Sequence, residues 1–215
     1  MLSVVCYRWG TRYTSEHVNR LYRQCKQHIA QEFEMLCVTD NPMGLDPKIV
    51  RVPLNRDWVS LGNAYPKLET FAPGRIMGDR VLMLDLDIQI LGSIDELIEG
   101  AGPFKIWRDA MYPKQGYLYN SSIVLKDHDV HTKVFTDFRP HKTPDLLKAK
   151  GWRTSDQAQI SEVVGEGAEV WTAEDGVYSY KLDLPNKEKP PKGTKIVVFH
   201  GQPKPWDLNH SWITN

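Results

Sequence analysis

The chain has 215 residues, 41% of them hydrophobic, which is enough for one sizeable α/β domain over residues 1–215 and too little for two domains with separate cores. Its 27 basic and 27 acidic residues cancel, which removes the electrostatic footprint of a duplex-binding protein; no nucleic-acid partner is expected, and any nucleotide bound should be a small molecule. Cys6, Cys25 and Cys37 are odd in number and sit in apolar surroundings, so they read as buried small hydrophobes in a reducing, cytoplasmic setting.

Leu2 to Cys6 is a short apolar run that suits a first buried strand, and is far shorter than a signal core or a transmembrane span. Ser15 is placed to cap a helix with the apolar face Val18, Leu21, Tyr22, Cys25 and Ile29, and Phe33 to Val38 follows as a second strand. This strand, helix, strand opening predicts parallel neighbours joined by a right-handed crossover. Thr39 to Asp57 is rich in proline and reads as loop with one extended piece, Ile49 to Val52; Ala64 to Ala72 reads as helix, with Lys67 near its start. In Val81 to Ile90, VLMLDLDIQI, a wholly apolar strand runs into Asp85, Leu86 and Asp87, which holds two carboxylates where a buried strand meets solvent.

Beyond it, Ser93 and Glu96 form a capping box for a short helix, and Phe104 to Trp107 and Ser121 to Leu125 are strand candidates. Val130 to Phe138 and Thr154 to Val164 read as helices, the second opened by a capping box of Thr154 and Gln157. Lys187 to Gly193 is a loop that leads into a strand at Ile196 to Phe199, ending in His200 and a turn-rich tail. The alternation predicts a mostly parallel central sheet flanked by helices, with a small irregular C-terminal part. In such sheets ligands bind beyond the carboxyl ends of the strands, where the polar residues of this chain recur.

In a strand Asp85 and Asp87 would share one face, with Leu86 turned to the opposite packing layer. Two like charges side by side call for a cation between them, and hard oxygen ligands suit Mg2+ or Mn2+ better than zinc. Two acids that merely solvate a strand end are the plain alternative. Phosphatases of the haloacid dehalogenase type also carry Asp-x-Asp after an apolar strand, but near the N-terminus and with Thr or Val where this chain has Gln89.

Four stretches in order resemble the nucleotide-sugar glycosyltransferases of the GT-A (Rossmann-like) fold, above all family 8, which includes glycogenin and bacterial lipooligosaccharide galactosyltransferases. Lys67 to Glu99 is similar to the family block that joins a phosphate-contacting Lys or Arg to a buried strand and the metal-binding Asp-x-Asp. YNSSIVL (Tyr119 to Leu125) resembles its Phe-Asn-Ser/Ala-Gly-Val stretch, with Ser122 in place of glycine, and Ser155 to Gln157 its Asp-Gln site. HGQPKPW (His200 to Trp206) is similar to its His-x-x-Gly-x-x-Lys-Pro-Trp ending, shorter by two residues.

The resemblance implies a metal-dependent, retaining transferase that moves a hexose from a nucleotide sugar, such as a UDP-sugar, to a glycan, lipid or protein acceptor. It assigns Asp85, Asp87 and His200 to Mn2+ or Mg2+, with Leu86 and Gly201 beside them, and Lys67 and Lys204 to the phosphates. It also places Asn120, Asp156 and Gln157 at the transferred sugar, and Tyr13 is a candidate to stack on the base. Each assignment has an ordinary counterpart: surface lysines, a core tyrosine, a half-buried histidine, an acid at a helix start held by the dipole. Trp206 and Trp212 are placed to flank an acceptor sugar, and His128 and His131 are a weaker metal pair. A non-catalytic domain that binds nucleotide sugars or glycans is one alternative; a sugar-phosphate nucleotidyltransferase, which would want a glycine-rich basic loop near the first strand, is another.

Overall fold

A computed structural model describes residues 1–108, 117–184 and 189–214. The chain opens with β1 (Leu2–Arg8), α1 (Ser15–His28), β2 (Phe33–Thr39), β3 (Val50–Pro53) and a short α2 (Arg56–Val59). Then come β4 (Arg80–Leu84), β5 (Ile88–Ile90), α3 (Asp95–Glu99), β6 (Phe104–Arg108) and β7 (Tyr119–Asp127). The remainder holds α4 (Lys133–Thr136), α5 (Thr143–Ala149), α6 (Asp156–Val164), β8 (Glu169–Trp171), β9 (Val177–Ser179), α7 (Tyr180–Asp183) and β10 (Ile196–Val198). The Lys187 and Glu188 end of the expected loop lies outside the described residues.

Seven strands form the central sheet in the order β3-β2-β1-β4-β7-β6-β8. Four of its six pairings are parallel, and the two that are not both involve β7. Because β7 runs against β4, its first residues lie at the sheet edge where β1, β2 and β4 end. Asn120, expected just before a strand, is inside β7 and reaches that edge for this reason.

Alternate residues of the central strands feed two cores. Leu2, Val4 and Cys6 of β1 and Leu82 and Leu84 of β4 pack with the apolar face of α1, while Val5, Tyr7, Val81 and Met83 pack with Leu68, Phe71 and Ile160 on the other side. Burial on both faces explains why these strands read as continuous apolar runs. All three cysteines are free and buried, as expected.

Several local expectations are corrected. In VLMLDLDIQI the apolar strand β4 does stop at Leu84, before the acids, but Asp85, Leu86 and Asp87 form a turn and not a strand end, and an unexpected β5 leaves the central sheet to pair with β10. The departure is held by Gln89, a buried amide bonded to Arg20, Gln24 and Thr214, which a continuing central strand would have to place in the apolar core. The C-terminal part is accordingly not irregular, since β5, β10 and β9 form a second, three-stranded sheet.

Tyr65–Phe71 is a 3-10 helix, with Pro66 in its first turn and every residue buried. The helix expected from Val130 shrinks to Lys133–Thr136, because His131 has a positive φ of 55°, which a right-handed helix cannot continue. Two caps sit one residue away from their expected positions: Thr14, with His17, opens α1, and Ser155 opens α6 by accepting a hydrogen bond from the Ala158 amide. Ile94 occupies the cap position of α3, and Ser93 instead bonds the Asp95 side chain.

Candidate functional site

A cleft of about 520 Å³ opens at the edge where β1 and β4 end and β7 begins. It is lined by Tyr13, Lys67, Asp85, Leu86, Asp87, Asn120, Asp156, Gln157, His200, Gly201 and Lys204, so the residues expected at metal, phosphates, sugar and base all reach it, whereas Trp206 and Trp212, expected to flank an acceptor sugar, do not line it. The local reasons differ from segment to segment. The turn after β4 presents Asp85 and Asp87 and sends Leu86 into the core, where it is 2% exposed. A break in register between β6 and β7, where Trp107 pairs with Asn120 after Ile106 pairs with Val124, frees Ser121 and Ser122 from β6. Ser122, where the family has glycine, keeps a negative φ and accepts the Asp85 amide at 2.9 Å, so it stands there without backbone strain. Gly201, at φ 75°, supplies the left-handed turn after His200.

Lys67 is buried and central to one half of the cleft. Its ammonium lies 2.8 Å from Asp85 Oδ1 and 3.6 Å from Asp156 Oδ2. It also donates to the Ser121 carbonyl at 3.0 Å and to Ser121 Oγ at 2.9 Å, and Ser121 Oγ donates in turn to Asp156 Oδ2 at 2.5 Å. An ammonium has three N–H groups, and Asp85 and the two Ser121 oxygens take all of them. In this arrangement Lys67 orders carboxylates, and the phosphate contact implied by the resemblance is not part of it. Burial works against its charge, but the carboxylates of Asp85 and Asp156 outweigh that and hold its pKa above the ordinary value. Burial pushes the Asp156 carboxyl up, opposed by Lys67 and the Ser121 hydroxyl. Asp156 also occupies the first position of α6, where the helix dipole favours its charge.

The other half centres on Asp87, which is 6% exposed. Its Oδ2 pairs with the Lys204 ammonium and accepts the Tyr13 hydroxyl at 3.1 Å. Burial raises the Asp87 pKa, as does neighbouring Asp85, against the pull of Lys204. Burial, and next to it the Asp87 charge, likewise raises the Tyr13 hydroxyl, which stays a neutral donor. Lys204 also reaches the Phe199 carbonyl at 3.3 Å. The Tyr13 ring stands perpendicular to the rings of His17 and Trp206, with centroids 5.8 and 5.9 Å away. His17 and Trp206 lie ring to ring at 3.9 Å, fastening the tail to the start of α1.

His200 Nε2 shares a hydrogen bond with Ser179 Oγ at 2.7 Å. Asp85, Asp87 and His200 offer oxygen and nitrogen donors that suit Mn2+ or Mg2+. Their placement does not fit a bound cation, since each is engaged by a protein partner and no group of three His, Cys, Asp or Glu side chains among the described residues could hold a metal ion. His128 binds Asp129 at 2.8 Å and His131 meets the edge of Phe104, so that pair belongs to neither a metal site nor the cleft. Trp212 is also away from the cleft, stacked on Phe199 and His210.

The sequence reading missed Arg8, Asn63 and Ser179. Arg8 braces the Trp9–Thr14 loop by donating to the Tyr13 carbonyl at 3.1 Å and the Asn41 carbonyl at 2.5 Å. Asn63 lines the cleft with a positive φ of 55°, and the turn-forming Gly62-Asn63 pair was the signal for it.

No family model and no curated protein matches the chain. Solved structures do: the galactosyltransferase LgtC, in complex with donor and acceptor sugar analogs, superposes with a TM-score of 0.68 over 97% of this chain and 91% of that chain, at 14% identity. An active-site mutant of LgtC gives the same score at 12% identity. The glycosyltransferase GlyE of Streptococcus pneumoniae TIGR4 gives 0.61 over 95% of this chain, which spans 55% of that one, at 16% identity. The fold is thus the GT-A fold, as the resemblance implied.

Proposed function

We propose that this chain is a glycosyltransferase that moves a hexosyl group from a nucleotide sugar, a UDP-sugar, to a glycan, lipid or protein acceptor with retention of anomeric configuration. The observation that carries the reading is the convergence of Lys67, Asp85, Asp87, Asn120, Asp156, Gln157, His200 and Lys204, drawn from five separate stretches, on one cleft at the carboxyl edge of a GT-A sheet. The structural likeness to LgtC, seen with donor and acceptor sugar analogs, supports the same reading.

In the reaction the bond from the anomeric carbon to the diphosphate oxygen breaks, and the diphosphate leaves with the electron pair. A bond to the acceptor hydroxyl forms, and that hydroxyl gives up its proton. Lys204 is the cation proposed for the developing diphosphate charge. Asn120 and Gln157 are proposed to hold sugar hydroxyls. The Asp156 carboxylate is proposed to face the sugar, kept in place by Ser121 and Lys67.

The test is release of UDP from a panel of UDP-sugars with Mn2+ and candidate acceptors. Turnover with at least one donor is expected. Binding of UDP without hydrolysis or transfer from any donor would leave a non-catalytic binding domain, and no binding of any nucleotide would overturn the reading.

A further inference from the structure

Lys67, Lys204 and Arg12 all line the cleft, but their charges are not equally engaged. Lys67 is bound to Asp85 and lies close to Asp156, and Lys204 is bound to Asp87, whereas Arg12 has no carboxylate partner among the described residues. Three carboxylates, Asp85, Asp87 and Asp156, thus face two ammonium groups and leave one net negative charge in the cleft. A diphosphate brought to that cluster is repelled unless a further cation offsets the charge.

Arg12 belongs to none of the four stretches that carry the family resemblance, and its place is fixed by the loop between β1 and α1. Arg8 donates to the Tyr13 carbonyl at 3.1 Å, and the Gly10 amide donates to Asp40 Oδ2 at 3.1 Å, with Gly10 at φ 60° making the turn. The Arg12 guanidinium lies over the Tyr13 ring, 5.5 Å from its centroid. The hydroxyl of that ring reaches Asp87, so one ring separates Arg12 from the Asp87–Lys204 pair. A guanidinium offers parallel N–H groups that match two phosphate oxygens, and those of Arg12 are not taken up by a carboxylate. We infer that Arg12 is a diphosphate-binding residue: its guanidinium holds the diphosphate of the donor from the β1–α1 loop, while the buried lysines balance the carboxylates beneath. The inference rests on the nucleotide-sugar reading and adds to it a second cation for the leaving group, beside Lys204 and on a separate element.

Binding of UDP and of inorganic pyrophosphate is measured by calorimetry for wild type, Arg12→Gln and Arg12→Lys. Arg12→Gln should weaken both ligands by about tenfold or more and by the same factor, because the contact is to the group they share. Arg12→Lys should recover part of the loss, since it keeps the charge without the fork. Melting temperatures of the three proteins should coincide, because Arg12 is exposed and its replacement breaks no ion pair among the described residues. An unchanged UDP affinity in Arg12→Gln overturns the assignment. A loss for UDP with none for pyrophosphate also overturns it, since Arg12 would then touch the nucleoside. If wild type binds pyrophosphate but not UDP, the nucleotide-sugar reading falls and Arg12 stands or falls on the pyrophosphate loss of the variant; if wild type binds neither, both fall.

Discussion

Ser121 illustrates how much a single side chain decides at this site. It joins Lys67 to Asp156 through one hydroxyl, and its carbonyl takes another Lys67 N–H. Ser121→Ala should leave the fold intact and lower kcat about tenfold or more with little change in KM, because the group it orders is proposed to act on the sugar rather than to bind the nucleotide. Steady-state kinetics on any active donor checks this. Asp87→Asn should abolish measurable turnover; it also leaves the buried Lys204 without its counter-charge, so thermal melts should show a folded protein less stable by about 3–5 kcal/mol.

Lys126 lies outside the cleft and gives a pH test. It is 1% exposed, bonded to the His128 carbonyl, and burial lowers its pKa from 10.5 to about 8. Between those two values the unfolded chain binds the extra proton, so this lysine makes stability rise with pH across that window, and below it the folded state carries the full cost of the buried charge. Lys126→Met should therefore be more stable than wild type at pH 7, by about 1–3 kcal/mol, with the gap closing as pH approaches 10.5. Melting curves at several pH values read the gap directly.

At the scale of elements, α6 links stability to function. Ser155 caps it and Asp156 is its first residue, so the cap fixes where that carboxylate stands. Ser155→Ala should cost about 1 kcal/mol and lower Tm by about 2–4 °C. A fall in kcat should accompany it, since Asp156 shifts with the frayed turn; an unchanged kcat would show that Asp156 is positioned by Ser121 and Lys67 alone. The sequence made the helix legible but misplaced its cap by one residue. Thr154 and Ser155 are chemically equivalent candidates, and only backbone geometry chooses between them. The same limit applies to VLMLDLDIQI, whose apolar periodicity is the same whether or not the chain changes sheets after Asp87.

At the scale of the whole molecule, the tail is held across the fold by a buried polar clasp. Arg20 of α1 donates to the Ile88 carbonyl at 3.1 Å, to the Gln89 amide oxygen, and to the Thr214 carbonyl at 2.8 Å. Gln24 and Gln89 add hydrogen bonds to Thr214 Oγ1. The clasp ties α1, the chain just past Asp87, and the segment that carries His200, Lys204 and Trp206 into one body. Arg20→Met would strand several buried acceptors and should cost about 2–4 kcal/mol. Hydrogen exchange should show the loss of protection concentrated in β5, β10 and the tail, with β1, β2 and β4 little affected.

The sequence by itself determined the α/β alternation, the parallel opening, the buried cysteines and the set of polar residues that meet in the cleft. Those follow from apolar periodicity, short-range chemistry and motif order, which are local properties of the chain. Only the tertiary structure decided that Lys67 binds Asp85, that Lys204 binds Asp87, that β7 turns antiparallel, and that Gln89 draws β5 into a second sheet. Each of these joins residues far apart in the chain, and a buried charge or amide chooses its partner by three-dimensional proximity and desolvation, which no spacing along the sequence encodes.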